Sequence, residues 1–421
     1  MNKGWALLAA ATLAGSVRAE TLGDAVATAY ATNPTLAAAR ARQDALAETT
    51  EQARAAGRLT ASADAGGGYD RFNYGKGGTA IASASLPIWT GGRVRSAVRA
   101  AQGDVAAGAE DLRDTAAAVL EAVVGTYANL LFDQQSVAIA EADIELLENQ
   151  VKDTQLRFHL GNATRTDVAR LEAQRAGAEA TLASAQATLA GDVATYRATV
   201  GRDPGTLAPG PDGVGSLPGT LDQARGQALA SNPVLLASRH AAEAAGARVE
   251  AARANGNPFL DAGGAYGRDL DLARSTDRGF PVAASAGLTL HVPILTGGLV
   301  ASQVRQARAA RGAAEFDSDA AGREALRQAE TAWAALEGAR ASARANAASV
   351  AAAELALKGV RAEYAFALRS TLDILVADES LRGAQLALAR SRSDVLVAEA
   401  ALLRATGRLD EGAFTSSPVA G

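Results

Sequence analysis

The sequence predicts a mostly α-helical chain that also contributes strands to a transmembrane β-barrel, and three observations carry that expectation. The heptapeptide LPIWTGG at 86–92 returns as VPILTGG at 292–298. Each copy follows stretches in which apolar residues alternate with small or polar ones. After each copy proline disappears, from 88 to 203 and from 294 to 417, so two long uninterrupted helices can follow.

At the N-terminus, MNKGWALLAAATLAGSVRA has a cationic start at Lys3, an apolar run from Trp5 to Leu13, and the small residues Val17 and Ala19 before a cut. Residues 1–19 read as a cleaved secretory signal. Losing Lys3 and Arg18 leaves 39 of the 41 basic side chains against 46 acidic ones, a formal charge of −7. An acidic exported chain is a poor partner for nucleic acid. The absence of cysteine removes disulfides, thiol chemistry and a lipid-anchor cysteine. No apolar run of about 18 residues stands out after the leader, so membrane insertion is expected as a β-barrel rather than as a helix.

The chain reads as a duplication. TLGDAVATAYATNPTLAAAR from Thr21 matches TLDQARGQALASNPVLLASR from Thr220 at an offset of 199. Beyond the Gly-rich middle the offset becomes 206, carrying Pro87 to Pro293, Asp167 to Asp373 and Gly201 to Gly407. The expected division is a first repeat at 20–200, a Gly/Pro-rich link at 201–219, a second repeat at 220–407 and a tail at 408–421.

Each repeat opens with a short helix and then a proline-started helix, from Pro34 and from Pro233. Strands are expected at about 60–73, 79–88, 259–270 and 280–292. In the last of these, Val282, Ala284, Ala286, Leu288, Leu290 and Val292 make one greasy parity, while Ser285, Thr289 and His291 fall on the other. These lengths suit strands crossing a bilayer obliquely. Hairpin loops are expected at NYGKGG and DLDLARSTDRG. Four strands cannot close a barrel, and an open edge in lipid leaves backbone groups without partners. Several chains must then share one barrel. A dimer gives eight strands and a filled interior; a trimer gives twelve and can leave an aqueous passage. The count favours the trimer.

Read as one helix, 93–158 spans about 100 Å at 1.5 Å per residue, a length suited to crossing a periplasm. The next helix shows heptads: Ile374, Leu381, Leu388, Val395 and Leu402 recur every seven residues, with Ala377, Ala384, Ser391, Ala398 and Ala405 at the companion positions. Large opposite small specifies closely approaching coiled-coil helices. Val168, Leu182, Leu189 and Tyr196 repeat the register in the first copy, with Arg175 as the exception. At the junctions, Pro87 and Pro293 are expected to end the strand ladder, Thr90 and Thr296 to cap the coming helix, and Gly91, Gly92, Gly297 and Gly298 to turn the backbone sharply.

Catalytic and metal chemistry find no support. His159, His240 and His291 are too scattered for a metal site, and no cofactor is expected. NYGKGG lacks the Ser/Thr that follows Lys in a phosphate loop, and no nucleophile elbow is present. Asp167 and Asp373, taken alone, read as helix-cap or first-turn charges.

The duplicated Thr-Leu…Asn-Pro openings, VPILTGGLVASQVRQAR at the second junction, and the helix turns RFHLGNATRTDVARLEAQR and EYAFALRSTLDILVADESL together resemble the TolC-like outer-membrane channel proteins of Gram-negative bacteria. The likeness covers essentially the whole mature chain. It implies a homotrimer whose twelve-stranded barrel sits in outer-membrane lipid and continues as a long periplasmic coiled-coil tunnel. It also implies a passive exit duct, not an enzyme, serving efflux or type I secretion. A periplasmic adaptor (membrane fusion) protein and an inner-membrane ABC or RND-type transporter would dock on the tip, and drugs or unfolded polypeptides would pass outward.

By position, Thr166 and Asp167 match residues that accept links from the other helix pair. Tyr364 and Arg369 match the residues making those links, and Asp373 matches an aspartate of the constriction. Gly161 and Ala367 mark the tip turns for docking. The pattern departs at position 376, where Val replaces a second aspartate, and at Ala367, where a glycine is usual. Asp378 sits about 140° further round the helix from Asp373 and is a poor substitute. A weakened carboxylate ring is the consequence. A periplasmic adaptor would show one hairpin without barrel-grade strands, and an exported coiled-coil protein would not explain the repeated junction.

Overall fold

A computed structural model describes residues 19–70, 75–210, 214–271, 282–366 and 368–415. The signal expected at 1–19 lies outside them but for Ala19, as do most of the second hairpin loop, Ala367 and the end of the tail.

Local chemistry sets the first elements. Thr21 caps α1 (Leu22–Thr32) in a reciprocal box with Asp24, and Asn33 caps α2 (Pro34–Ala55), where Pro34 occupies the first turn at no hydrogen-bond cost. Next come β1 (Thr60–Asp70), β2 (Gly75–Trp89), α3 (Arg93–His159) and α4 (Arg165–Val200). The same series then recurs as α5 (Leu221–Ser231), α6 (Pro233–Ala254), β3 (Phe259–Asp271), β4 (Val282–His291), α7 (Leu299–Ala365) and α8 (Thr371–Ala405), before the short α9 (Gly412–Thr415). α3 and α7 each run 67 residues, or about 100 Å.

The four strands form one antiparallel sheet in the order β1-β2-β3-β4. Its register keeps like with like: Ala63 faces Ala82, Ala82 faces Tyr266 and Tyr266 faces Ala284, while Leu86 faces Ala262, which faces Leu288. That parity makes an apolar face exposing Leu86, Tyr266, Leu288 and Leu290. The other parity carries Thr60, Ser62, Asp64, Ser83, Ser85, Thr289 and His291. A one-residue slip would exchange the faces. β1 and β4 are each paired on one side only.

The structure corrects three expectations, two of them at the junctions. Pro87 does not end its strand: it lies inside β2 opposite Asp261, beyond the last β1 pair at Thr60 and Ser85, where a register shift precedes Trp89. A bulge tolerates a missing donor. Pro293 does fall after the end of β4. Neither Thr90 nor Thr296 caps with its side chain; the N-caps are Gly92 and Gly298, without side-chain bonds, and the threonine carbonyls accept from Arg93 and Leu299 at 3.1 and 3.0 Å. The paired glycines have φ of 61° and 91° in the first copy and 58° and 82° in the second, a left-handed region costly to other residues.

The third correction concerns α3, which contains an 18-residue window apolar enough to cross a membrane by length and composition. This stretch has another destination. Leu120, Val123, Val124, Tyr127 and Leu130 of α3 are fully buried in the main core with α1, Tyr196 and Val200 of α4, and Leu207 and Val214 of the link. α8 lies between α7 and α3, burying Ala384, Ser391, Ala398, Leu402 and Ala405.

Candidate functional site

The two helical hairpins end in matching tips. α3 closes with Gly161 at φ 78°, and Asn162 N–H reaches back to the Arg157 carbonyl at 2.8 Å; at the second tip Leu368 N–H reaches the Glu363 carbonyl at 3.0 Å. Such backward bonds satisfy the last helical carbonyls. Ala367 lies outside the described residues.

Both aspartates at the tips are built into capping boxes. Asp167 Oδ2 accepts from Thr164 N–H at 2.9 Å and Thr164 Oγ1 at 2.7 Å, and Asp373 Oδ2 accepts from Ser370 N–H and Oγ, both at 2.8 Å. The Thr164 hydroxyl, then its N–H, holds the Asp167 carboxyl below its usual range; the Ser370 N–H, then its hydroxyl, does so for Asp373. Depressed values favour the charged form, so this stabilisation is present above the ordinary carboxylate range and lost only as acid titrates the folded group.

The structure brings Tyr364, Arg369 and Asp373 into one tip and Gly161, Thr166 and Asp167 into the other. Within the protomer it does not join the two sets: Arg369 Nε donates to Glu363 at 2.7 Å, and Tyr364 OH lies 3.4 Å from Thr371 Oγ1. A different contact does cross between hairpins, where the Arg157 guanidinium lies 5.2 Å from the Tyr364 ring centre. Val376 is 59% exposed.

Sequence reasoning missed a buried ion cluster higher up. Arg382 of α8 binds Asp143 of α3, and its Nε donates to Asp378 at 2.9 Å, while Arg361 of α7 stands 3.8 Å from Asp378. Asp143 and Asp378 are 7% and 6% exposed. Burial pushes the Asp143 carboxyl up, opposed by Arg382. The available signal was the four-residue spacing of Asp378 and Arg382, read only as a failed substitute for a pore aspartate.

Further up, burial and a hydrogen bond with Asp192 push Asp133 to about 6. A raised carboxyl pKa means the folded state holds more protons than the unfolded state between the ordinary carboxylate value and about 6, so stability falls as pH rises through that window. Asp133→Asn is expected to remove the dependence and stabilise the protein at pH 7 by about 1–3 kcal/mol. Thermal dissociation at pH 5 and 7.5 checks this; identical pH dependence in the variant and the native protein would refute it.

A family model described as outer membrane efflux protein matches residues 25–202 and 224–408, taking in both hairpins and both strand pairs. The chain belongs to the outer membrane efflux protein family. This family is one of transport channels, which removes the adaptor and coiled-coil alternatives. Among similar members, Outer membrane efflux protein BepC of Brucella suis is 35% identical over 408 residues, 96% of this chain and 89% of that protein. Alkaline protease secretion protein AprF of Pseudomonas aeruginosa is 29% identical over 64% of this chain and 57% of its own length. The outer membrane protein VceC of Vibrio cholerae has the same fold, with a TM-score of 0.75 and 24% identity over 92% of this chain and 96% of that one. The four-stranded sheet and paired long helices of this outer membrane efflux protein are thus those of an outer-membrane channel reaching into the periplasm.

Proposed function

We propose that three copies of this outer membrane efflux protein close one barrel and form a passive exit duct. A periplasmic adaptor and an inner-membrane transporter of ABC or RND type engage its tips. The names of BepC, an efflux protein, and AprF, a protease secretion protein, support efflux or protein secretion as its traffic. The observation that carries closure between copies is the unmatched half of the repeat, and the strand count favours three of them. A Cβ on Gly91 would meet the Pro258 carbonyl at 2.6 Å, whereas Gly297, its repeat mate, has nothing within 4 Å. The missing neighbour of the second junction is the α2–β1 turn of another protomer.

Repeat symmetry also gives the register of that contact. Within the chain Ser85 faces Gly263. Carrying both residues through the repeat offsets places His291 of β4 opposite Asp64 in β1 of the next protomer, and Leu290 opposite Ala65. Apolar stays with apolar, as sheet register demands. Asp64→Cys with His291→Cys, in a chain that has no cysteine, is expected to yield covalent trimers on a non-reducing gel after oxidation. A ladder ending at dimers would replace this with an eight-stranded barrel; no interchain product would overturn the register.

The gate reading rests on the family likeness. Links from Tyr364 and Arg369 to Thr166 and Asp167 of the other helix pair hold the tip shut, and the three Asp373 carboxylates line the constriction. Like charges crowded in a narrow throat couple strongly and bind cations. Asp373→Ala is expected to weaken block by multivalent cations about tenfold or more, equivalent to about 1.4 kcal/mol. Unchanged conductance and unchanged block in planar bilayers would remove Asp373 from the constriction.

A further inference from the structure

The two long helices leave the junctions in runs of unbalanced positive charge. From 93 to 103 in α3 and from 299 to 314 in α7 there is no acidic residue, while Arg93, Arg95 and Arg99 stand in the first run and Arg305, Arg308 and Arg311 in the second. The chain as a whole is acidic, with a formal charge of −5, so these starts invert its balance. Arg311 pairs with Glu315 of its own helix at 2.8 Å. Arg95, Arg99, Arg305 and Arg308 are all exposed, and none of the four has a hydrogen-bond or ion-pair partner among the described residues. Beside them, Glu51 near the end of α2 already serves two cations, Arg54 and Arg58.

Arg93 fixes which way the others point. Its guanidinium lies 4.9 Å from the Phe259 ring centre, and Phe259 stacks on His291 at 4.9 Å, on the polar parity that faces the lumen once the sheet closes into a barrel. At 3.6 residues per turn, Arg95 is about 200° further round α3 and Arg99 about 240°, both toward the outer side. Arg305 and Arg308 lie about 240° and 180° from Leu299, the repeat mate of Arg93. Arg305 is also the mate of Arg99, which stays exposed with α6 packed on α3. It therefore keeps its exposure when α2 of the next protomer packs on α7. Along the helix axes the four stand about 5 to 15 Å from the glycine pairs.

Above them, Trp89 pairs with Leu260 at the foot of the apolar parity and is exposed, the place of an interfacial aromatic. The polar heads of the periplasm-facing leaflet then lie level with the arginines, whose stems can run along apolar surface while the guanidinium stays among polar groups. Spread over two helices of each protomer, the four do not converge on a point as donors to one free ion would. They make a charged perimeter, and its height, within one to two screening lengths of about 10 Å at 0.1 M salt, matches a lipid surface rather than a polymer deeper in the periplasm.

We propose that Arg95, Arg99, Arg305 and Arg308 form a collar, four arginines from each of three protomers, that binds the phosphate headgroups of anionic phospholipid in the periplasm-facing leaflet of the outer membrane. The bound lipid fixes the depth at which barrel gives way to tunnel. This rests on the barrel reading above.

Trp89 is the reporter that tests it. Of the three tryptophans, Trp5 belongs to the expected leader, and Trp333 packs against the cluster of Leu336 and Leu402, about 50 Å below the junction. The full trimer carrying Trp333→Phe is reconstituted in vesicles, and quenching of Trp89 by brominated phosphatidylglycerol is compared with quenching by brominated phosphatidylcholine. A preference for phosphatidylglycerol of about fivefold or more is expected at about 0.1 M salt, falling toward equality at about 1 M, where the screening length is about 3 Å. Arg95→Gln/Arg99→Gln/Arg305→Gln/Arg308→Gln is expected to abolish the preference while phosphatidylcholine quenches as before, and the corresponding four Arg→Lys changes to retain it. Equal quenching by the two lipids in the native trimer, or a preference that survives the four glutamines, would overturn the proposal. If the glutamine variant does not assemble, the salt series on the native trimer decides, and a preference unmoved by salt overturns the collar. Inorganic phosphate added at constant ionic strength should leave the preference intact; its loss would make this a free-anion site and overturn the lipid assignment. Native trimers that show no lipid preference but sediment with isolated cell-wall sacculi would assign the collar to the wall, with the same consequence. Trp89 unquenched by either lipid would instead refute the barrel reading.

Discussion

Replacing Gly91 by valine is expected to eliminate assembled protein from the outer membrane. The residue sits at φ 61°, a region that costs a β-branched side chain about 1–2 kcal/mol by itself. Its new Cβ would stand 2.6 Å from the Pro258 carbonyl oxygen and 2.8 Å from Asn257 Cβ. Neither atom is the end of a flexible side chain, so the start of β3 must move. That movement also breaks the bond from Asn257 Nδ2 to the Gly91 carbonyl, 2.7 Å long. The combined loss falls in the class above about 4 kcal/mol reserved for strain plus steric conflict. Gly297→Val shares the strain, at φ 58°, but its Cβ meets no atom of the described residues within 4 Å. It is expected to give folded protomers that fail to join, whereas Gly91→Val gives degraded chains. Trimer bands on unheated gels and protease resistance of the monomer separate the two, and a native yield of trimer from Gly91→Val would contradict the junction's geometry.

Glu20→Ala is expected to cost about 3–5 kcal/mol, the range for removing one member of a buried charged network. Glu20 is 8% exposed. Its carboxylate accepts from Tyr196 OH at 2.5 Å, Arg202 at 2.7 Å and Gly205 N–H at 2.8 Å. Its backbone pairs with the link, donating to the Thr206 carbonyl and accepting from Ala208 N–H, both at 2.8 Å. Tyr127 OH adds bonds to the Glu20 and Ala208 carbonyls at 3.0 and 2.8 Å. Burial pushes the Tyr127 hydroxyl up to about 12, so both tyrosines remain donors throughout the useful pH range. Without the carboxylate three donors lose their acceptor at once. Tyr196→Phe removes one bond and should cost only about 0.5–1.5 kcal/mol. The midpoint of thermal trimer dissociation should order native, Tyr196→Phe and Glu20→Ala; equal midpoints for the two variants would refute the network.

Glu20 also shows what local pattern conceals. It lies at the edge of the expected leader, and nothing nearby in sequence marks it as buried; its partners stand 176–185 positions away. Asp378 is the parallel case at the tip. By helical angle it read as a poor pore aspartate, and its actual place against Arg382, Arg361 and the neighbourhood of Asp143 depends on three helices meeting. The apolar window of α3 belongs with them: composition alone qualifies it as a membrane span, and only packing against α1, α4 and the link shows it as core.

Periodicity and covalent restriction were readable one residue at a time. Alternation of parity marked a sheet with one greasy face, because side-chain direction in a strand has period two whatever the partner. Long proline-free runs with heptads marked paired helices, and glycine pairs marked turns, because each property resides in the residue or its near neighbours. So the sequence by itself determined the fold class, the membrane it enters and the family. The tertiary structure alone decided that Pro87 stays within a strand at a bulge, that glycines rather than threonines start the long helices, and that Arg382 fastens α8 to α3. These depend on contacts between segments as many as 239 positions apart, whose energies exist only once the chain has brought them together and removed the water between them.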